Sequence, residues 1–513
     1  MKTPSDITRV SAARTVSRRR FMYASAAVGT TLAFTRFSPN AYGMIAADDP
    51  LALSTVQIAQ MIRDKKITAV EVTKRCLARI DEVNPKINAV VALCRERALS
   101  EAAEADAMLA AGKTKGPLHG VPFTVKDSFD TAGVVSTGGT LGRKDYVPGK
   151  DATVVARARA AGAILLGKTN TPEFTLGGGG KGTINLVYGV TKNPYNTNYQ
   201  PSGSSGGAGA IVAAAGAYFD IGSDYGGSIR GPAFANGIAG IKPTLGRVPR
   251  TGHIVGYGGP YDTFQETGPL ARRVEDIALL MPILIGPDNW DATMAPVPLG
   301  DSTNVDLKKL RVAFYTTNGE RDPTPEIQEV VKTCVGYFKK LGCKVTEDKP
   351  PKMKELAEAR QKFSGATGGD NMRRLLKKHG TLQASPGLRL DGELLSSGDF
   401  TKYCEEMDAI KSEQLAWFEK YDLIVCPANQ RAPITLDYEP PEGREAARRG
   451  SSYTSQYNTT GWPAGVVRAG TSTDAPELPL GIQVVAQPWR DDIVIAAMAH
   501  IEKQTGGWHQ TTI

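Results

Sequence analysis

Gly203-Ser-Ser-Gly-Gly-Ala-Gly-Ala-Ile-Val-Ala-Ala-Ala-Gly-Ala-Tyr-Phe-Asp-Ile-Gly-Ser-Asp-Tyr-Gly-Gly-Ser-Ile-Arg230 holds two glycine-rich turns, each carrying serine, around a small-residue stretch and a short apolar run. Ile211 to Ala215 reads as a helix. Ala217 to Gly222 reads as a buried strand, because a short apolar run bounded by turn residues fits a strand covered on both faces. Turn, helix, strand and turn in that order are an α/β signature. Working outward, Val121 to Lys126, Ala163 to Leu166 and Gly237 to Lys242 are further buried-strand patterns, and Val154 to Ala161 reads as a helix. Residues 176–209 are rich in glycine and read as loop. Downstream, Ile327 to Leu341, Met407 to Lys420 and Ile493 to Lys503 are helical, while Cys343 to Val345, Leu423 to Val425 and Leu480 to Val485 are strand-like. Residues 52–112 carry one helical periodicity. Helices alternating with short apolar strands predict an α/β fold with a mixed, mostly parallel central sheet. The stretch from about 245 to 470 is less periodic and richer in charge, which predicts insertions there.

The chain has 513 residues, 41% hydrophobic and 22% charged, enough for a large core and unlike a disordered or disulfide-scaffold sequence. Its formal charge of +8 suggests a nucleic-acid partner at first sight. Residues 1–47 hold seven basic residues and one acid, so the remainder carries 54 basic against 52 acidic residues, about +2. The basic excess belongs to the leader, and nucleic-acid binding is not expected. That leader contains Ser17-Arg-Arg-Arg-Phe-Met-Tyr23, which resembles a twin-arginine export signal, followed by a weakly apolar Ala24 to Phe34 too short to span a bilayer. Small residues at Ala41 and Gly43, or Ala46 and Ala47, suit processing. The expectation is a bacterial protein of the periplasm or exterior, with residues 1–47 as signal and 48–513 as a single domain. No stable membrane span is expected. Cysteines at 76, 94, 334, 343, 404 and 426 form no CxxC pair; Cys334 and Cys343 could join, but six cysteines allow many pairings.

Three motifs tempt and fail. Gly162 to Thr169 fits the phosphate-binding G-x-x-x-x-G-K-[ST], but its spacer Ala-Ile-Leu-Leu is a buried strand, and Pro172 fits a following helix poorly. Gly177 to Gly182 fits G-x-G-x-x-G only because four glycines are consecutive. Gly203-Ser-Ser-Gly-Gly207 fits the nucleophile elbow centred on Ser205, which would need a histidine among His253, His379, His500 and His509. Five histidines without paired spacing give no metal motif, and neither a metal nor another cofactor is expected.

What carries chemistry is a combination. Lys126 ends an apolar strand, where an ammonium is costly; burial must be met by a partner or by loss of the proton. A neutral amine is a general base. Alone, Lys126 reads as a snorkelling or salt-bridged lysine, and either glycine-rich turn alone as an ordinary loop. Together the two turns supply hydroxyls able to relay a proton and unobstructed backbone N–H groups able to hold an oxyanion.

At this point the chain resembles the amidase signature family of serine hydrolases. The likeness is carried by Gly120-Val-Pro-Phe-Thr-Val-Lys126-Asp127, Gly167-Lys-Thr-Asn-Thr-Pro-Glu-Phe174, Tyr188-Gly-Val-Thr-Lys-Asn-Pro194, the two serine turns and Gly240-Ile-Lys-Pro-Thr-Leu-Gly-Arg247. Weaker agreement continues through Gly268-Pro-Leu-Ala271, Tyr457-Asn458, Pro463-Ala464 and Leu480-Gly-Ile-Gln483. The resemblance implies that fold, helices on both faces of its sheet. It implies Ser228 as nucleophile, Ser204 as a bridging serine usually held by a cis peptide bond, and Lys126 as base. Backbone N–H groups of Tyr225, Gly226, Gly227 and Ser228 would form the oxyanion hole, with Ser205, Asp224 and Arg230 in support. Two positions depart from the family pattern: Tyr225, where a smaller residue or Ile is common, and Ser202, where Gly is common.

The expected activity is hydrolysis of a linear amide through an acyl-enzyme. An aryl or fatty acyl amide is the expected substrate, with carbamates and esters also within reach of the chemistry. Gly461-Trp-Pro-Ala-Gly-Val-Val467 and Val485-Ala-Gln-Pro-Trp489 resemble the fatty-acid amide hydrolase branch, with the aryl acylamidase branch as the other candidate. The amidase-type component of a tRNA-dependent amidotransferase, another member of the family, conflicts with the export leader. Residues 290–450 are expected to form the variable substrate-pocket region. The expected partner is a small-molecule amide, in a monomer or homodimer. Two other readings stand beside this one: a catalytically silent periplasmic binding protein on the same fold, and a Ser205/His esterase of the α/β-hydrolase type.

Overall fold

The single helical pattern of residues 52–112 is broken twice in the computed structural model, which describes residues 49–177, 182–256, 259, 261–438, 452–511 and 513. The leader and its processing sites lie outside the described residues, as do 178–181 of the glycine run. Ser54 and Gln57 close a reciprocal capping box on helix Thr55–Arg63, and Thr68 caps Ala69–Ile87. Asn88 then turns left-handed at φ 48 and ends the helix. The Asn84 carboxamide accepts from the N–H groups of Ala89 and Val90 and donates to Val90 O, holding the chain extended. Val90–Leu93 is therefore a strand, and helix Arg95–Ala110 follows it. Periodicity reports which face is buried, and it runs on because both helices and the strand between them cover the same sheet edge.

Among the described residues eleven strands form one sheet. Their spatial order is Val90–Leu93, Ile164–Thr169, Pro122–Lys126, Phe219–Asp224, Glu266–Ala271, Ala239–Lys242, Ala464–Thr471, Pro479–Ala486, Leu423–Pro427, Arg311–Phe314 and Lys344–Glu347. Parallel pairing occurs in two runs, the second to fourth strands and the last three. Antiparallel pairs join those runs through the middle and add Val90–Leu93 at one edge. The sheet is mixed, as the alternation of elements predicts. Residues 245–470 correct the expectation of mere insertions: five of the eleven strands come from that stretch. They are short, and Glu266-Thr-Gly-Pro-Leu-Ala271, buried on both faces, has little apolar character, so no periodicity announces it. Helix Ser397–Phe418 begins ten residues before its expected start. All six cysteines, Cys334 and Cys343 included, are free thiols.

Helices cover both faces. Gly465 lies against Met498 and Val494 of helix Asp491–Thr505. Its neighbour Val466 points the other way, onto Gly481, beside Phe234 of helix Arg230–Ala235. Helix Gly206–Ala213 is buried along its whole length and starts five residues before the expected Ile211. Its small residues let it sit directly on strand ends: a Cβ at Gly207 would come within 2.4 Å of Asn170 N and 2.7 Å of Ala89 O, two atoms hydrogen bonded to each other. Gly207→Ala should therefore cost about 1–3 kcal/mol or more by overpacking, read as a lower urea midpoint at unchanged slope. An unchanged midpoint would show that this contact yields freely.

Candidate active site

Two neighbouring parallel strands, Pro122–Lys126 and Phe219–Asp224, end on the same side of the sheet. Their carboxyl ends deliver Lys126 and the loop from Ser223 to Arg230, the edge at which α/β sheets place ligands. The turn before helix Gly206–Ala213 brings Ser204 to the same point, with a cis peptide between Gly203 and Ser204. Lys126 is fully buried. Its Nζ lies 2.7 Å from Ser204 Oγ and 3.0 Å from Ser223 Oγ. Ser205 N–H donates to Ser228 O at 3.2 Å and ties the two serine turns together. Ser228 is half-buried and opens into a cavity of about 1300 Å³. The structure thus gathers Lys126, Ser204 and Ser228 at one place.

Burial pulls the Lys126 amine down to about 7, against the opposing pull of the Asp224 and Asp220 carboxylates. Asp220, buried beneath it, is pushed up to about 7 by desolvation, although Thr124 and Thr169 both donate to it. Ser223 Oγ also meets His253 Nε2 at 3.0 Å. That imidazole is fully desolvated and held well below the usual histidine range, hence neutral. A hydrogen-bonded chain therefore runs from His253 through Ser223 and Lys126 to Ser204. No local motif marks Ser223 or His253, and nothing in their sequence neighbourhood assigns them to this chain.

Asp224 organises the loop. Its carboxylate accepts from the N–H groups of Gly227 at 2.6 Å, Ile229 at 3.0 Å and Arg230 at 3.3 Å. Burial alone would raise this carboxyl; the Arg230 guanidinium, 3.0 Å away, and Asn458 outweigh it and hold it below the usual carboxylate range. The N–H of Gly227 is thereby committed to Asp224. This corrects the expected four-donor oxyanion hole: Tyr225, Gly226 and Ser228 keep N–H groups without a partner among the described residues, and Gly227 does not. Asn458 and Gln483, which both contact Arg230, stand in stretches that carry the weaker family likeness.

The two departures have visible settings. Ser202 takes φ 64, a left-handed conformation that glycine adopts without steric cost, which explains why Gly suits that position. The Tyr225 side chain turns away from Ser228 toward helix Met353–Gly365, where its hydroxyl lies 2.7 Å from Ser364 Oγ. Ser205 is fully buried and its hydroxyl donates to Ser223 O at 3.3 Å; among the described residues no histidine bonds it. Lys168, of the phosphate-loop look-alike, is a buried strut whose Nζ donates to Thr131 Oγ1, Ser136 Oγ and Phe129 O. No group of three or more His, Cys, Asp or Glu among the described residues could hold a metal ion, and no described helix is long and apolar enough to cross a membrane.

The family described as Amidase matches residues 71–495. The A-chain component of a glutamyl-tRNA(Gln) amidotransferase from Picosynechococcus sp. is 32% identical over 483 residues, spanning 88% of this chain and 97% of that protein. Among solved structures, 6-aminohexanoate cyclic dimer hydrolase superposes with a TM-score of 0.78 at 26% identity, covering 90% of this chain and 99% of the other. A bacterial aryl acylamidase of the amidase signature enzymes superposes at 0.73 with 27% identity, covering 88% and 96%. With the motifs, the fold and a family match over most of its length in agreement, this chain belongs to the amidase signature family of hydrolases.

Proposed function

We propose that this chain is an exported serine hydrolase that cleaves a linear amide through an acyl-enzyme on Ser228. The observation that carries the reading is the 2.7 Å hydrogen bond from a buried, readily neutral Lys126 to Ser204, beside a Ser228 that faces the cavity. Neutral Lys126 accepts the Ser204 proton, Ser204 accepts that of Ser228, and Ser228 Oγ attacks the carbonyl carbon. The N–H groups of Tyr225, Gly226 and Ser228 receive the oxyanion. The relay then returns the proton to the departing nitrogen as the C–N bond breaks, because an amide anion is a very poor leaving group. Water, activated by the same relay, releases the acid. Asp224, Arg230 and Ser205 hold the loop. Export rests on the twin-arginine-like Ser17–Tyr23, and an aryl amide on the likeness to the aryl acylamidase.

A second reading is favoured by the 32% identity to an amidotransferase component: release of ammonia from a primary amide within a complex. It uses the same three residues and differs in acceptor and compartment.

A panel of anilides from acetyl to long-chain acyl, a primary aryl amide, an aryl carbamate and glutamine separates these readings. Turnover of anilides supports the first; turnover of glutamine alone, dependent on added partner proteins, supports the second. Ser228→Ala should lower kcat on the order of 10³-fold or more, and retained activity would sink the assignment. An intact chain that neither turns over the panel nor reacts with a fluorophosphonate would be a silent binding protein. Because the base must be neutral, kcat/KM should rise tenfold per pH unit below about pH 7 and level off above it. A flat profile from about pH 5 to about pH 9 would remove Lys126 from that role.

A further inference from the structure

The cavity in front of Ser228 contains a cation that makes no ion pair among the described residues. Arg360, on helix Met353–Gly365, lines it and is half-buried. One Nη2–H donates to Tyr225 O at 2.6 Å. The guanidinium carbon stands 4.7 Å over the Tyr225 ring and 5.2 Å over the Phe264 ring. A Cβ placed on Gly226 would be 3.7 Å from Nη2 and 3.9 Å from Nη1, which sets the guanidinium directly beside the oxyanion loop. Nε is buried without a partner, and Nη1 makes no hydrogen bond among the described residues.

Guanidinium groups withdrawn from water are normally paired with carboxylates. Here the neighbouring buried carboxylates are spoken for. Asp224 is bound by Arg230, and Glu266 by Lys242 at 3.0 Å and by Asn458 at 2.9 Å. The rest of the wall has the same sign: among the described lining residues five are basic and three acidic. Arg389, one of the basic ones, also keeps a buried Nε without a partner. Aromatic faces on Tyr225 and Phe264 fix the Arg360 plane, so the site is rigid before any ligand arrives.

From this we infer that Arg360 is the anchor of an anion subsite, and that the preferred substrates are amides carrying a carboxylate whose charge reaches Arg360 while the scissile carbonyl lies at Ser228. The inference rests on the proposed hydrolase reading and narrows it, away from long neutral acyl chains and toward polar, anionic amides. Binding the carboxylate would complete the pairing that the fold leaves open. It would also order the substrate against the loop that supplies the oxyanion donors.

The test compares charged and neutral partners on each side of the amide: glutaric acid mono-4-nitroanilide against pentanoyl 4-nitroanilide, and 4-(butyrylamino)benzoate against 4-methylbutyranilide. The full chain should prefer one carboxylate member in kcat/KM by about tenfold or more. In Arg360→Gln the ratio for that pair should fall to about one, with partial return in Arg360→Lys, whatever happens to the absolute rates. No preference in either pair, or equal losses for charged and neutral members in Arg360→Gln, would overturn the subsite and leave Arg360 as a brace for Tyr225. Calorimetric titration with glutarate separates this from the catalytic proposal. Binding that weakens at least about tenfold in Arg360→Gln and persists in Ser228→Ala upholds the subsite even if no amide is turned over. Equal binding by Arg360→Gln and the unaltered chain, or none by either, overturns it.

Discussion

The buried ion pair between Arg230 and Asp224 is the constraint on which the site depends. A guanidinium has five N–H donors, and all five are used: two on Asp224, one on Asn458, one on Thr454 O and one on Gln483. Burying both charges is costly, and only such complete satisfaction makes it tolerable. The arrangement joins the loop after strand Phe219–Asp224 to helix Ser452–Thr459 and to strand Pro479–Ala486. Gln483 passes the connection on, donating to Tyr453 O and Pro427 O. The loop that presents Ser228 is thus held from its interior by Asp224, and three of its N–H groups stay unspent as a result.

The same economy of buried charge governs Lys126. Its amine loses hydration at the strand end, gains two serine hydroxyls and stands among acids that are themselves distorted. Asp224 is held ionised by Arg230, while Asp220 is pushed toward neutrality. The outcome is a lysine whose proton is weakly held near neutral pH, in contact with Ser204. Lys168, on the neighbouring strand, is equally buried but is drawn down less, to about 8, and its hydrogen bonds go to Phe129, Thr131 and Ser136 rather than to the cavity. Two lysines in adjacent strands therefore have different work, and the difference lies in what surrounds each nitrogen.

Much of this is legible in the amino-acid order. Lys126 stands in a run too apolar for an ordinary lysine, and the glycine-rich turns at Ser204 and Ser228 have the composition that exposed backbone donors require. Short apolar runs mark strands such as Leu423–Pro427 and Pro479–Ala486 to within two residues. The misses are equally specific. Asn88 ends a helix, and Asn84 holds the next residues extended by side-chain hydrogen bonds that periodicity does not register. Glu266–Ala271 is a central strand whose composition looks like a turn. The N–H of Gly227 is lost to an Asp224 oxygen, an interaction set by the loop's curvature.

Burial pattern and turn chemistry are local properties written in neighbouring residues. For that reason the α/β alternation, the reactive residue types and the two turns that carry them follow from the order of amino acids alone. Which groups meet is a matter of folding. Lys126 and Ser204 are 78 positions apart, and Arg230 and Gln483 are 253 apart. The order in which strands pair sets those meetings, and with them the proton affinity of Lys126, the donors left free for an oxyanion and the setting of the Arg360 charge. Each of these is a sum over charges and dipoles brought close in three dimensions, and no short stretch of chain contains it.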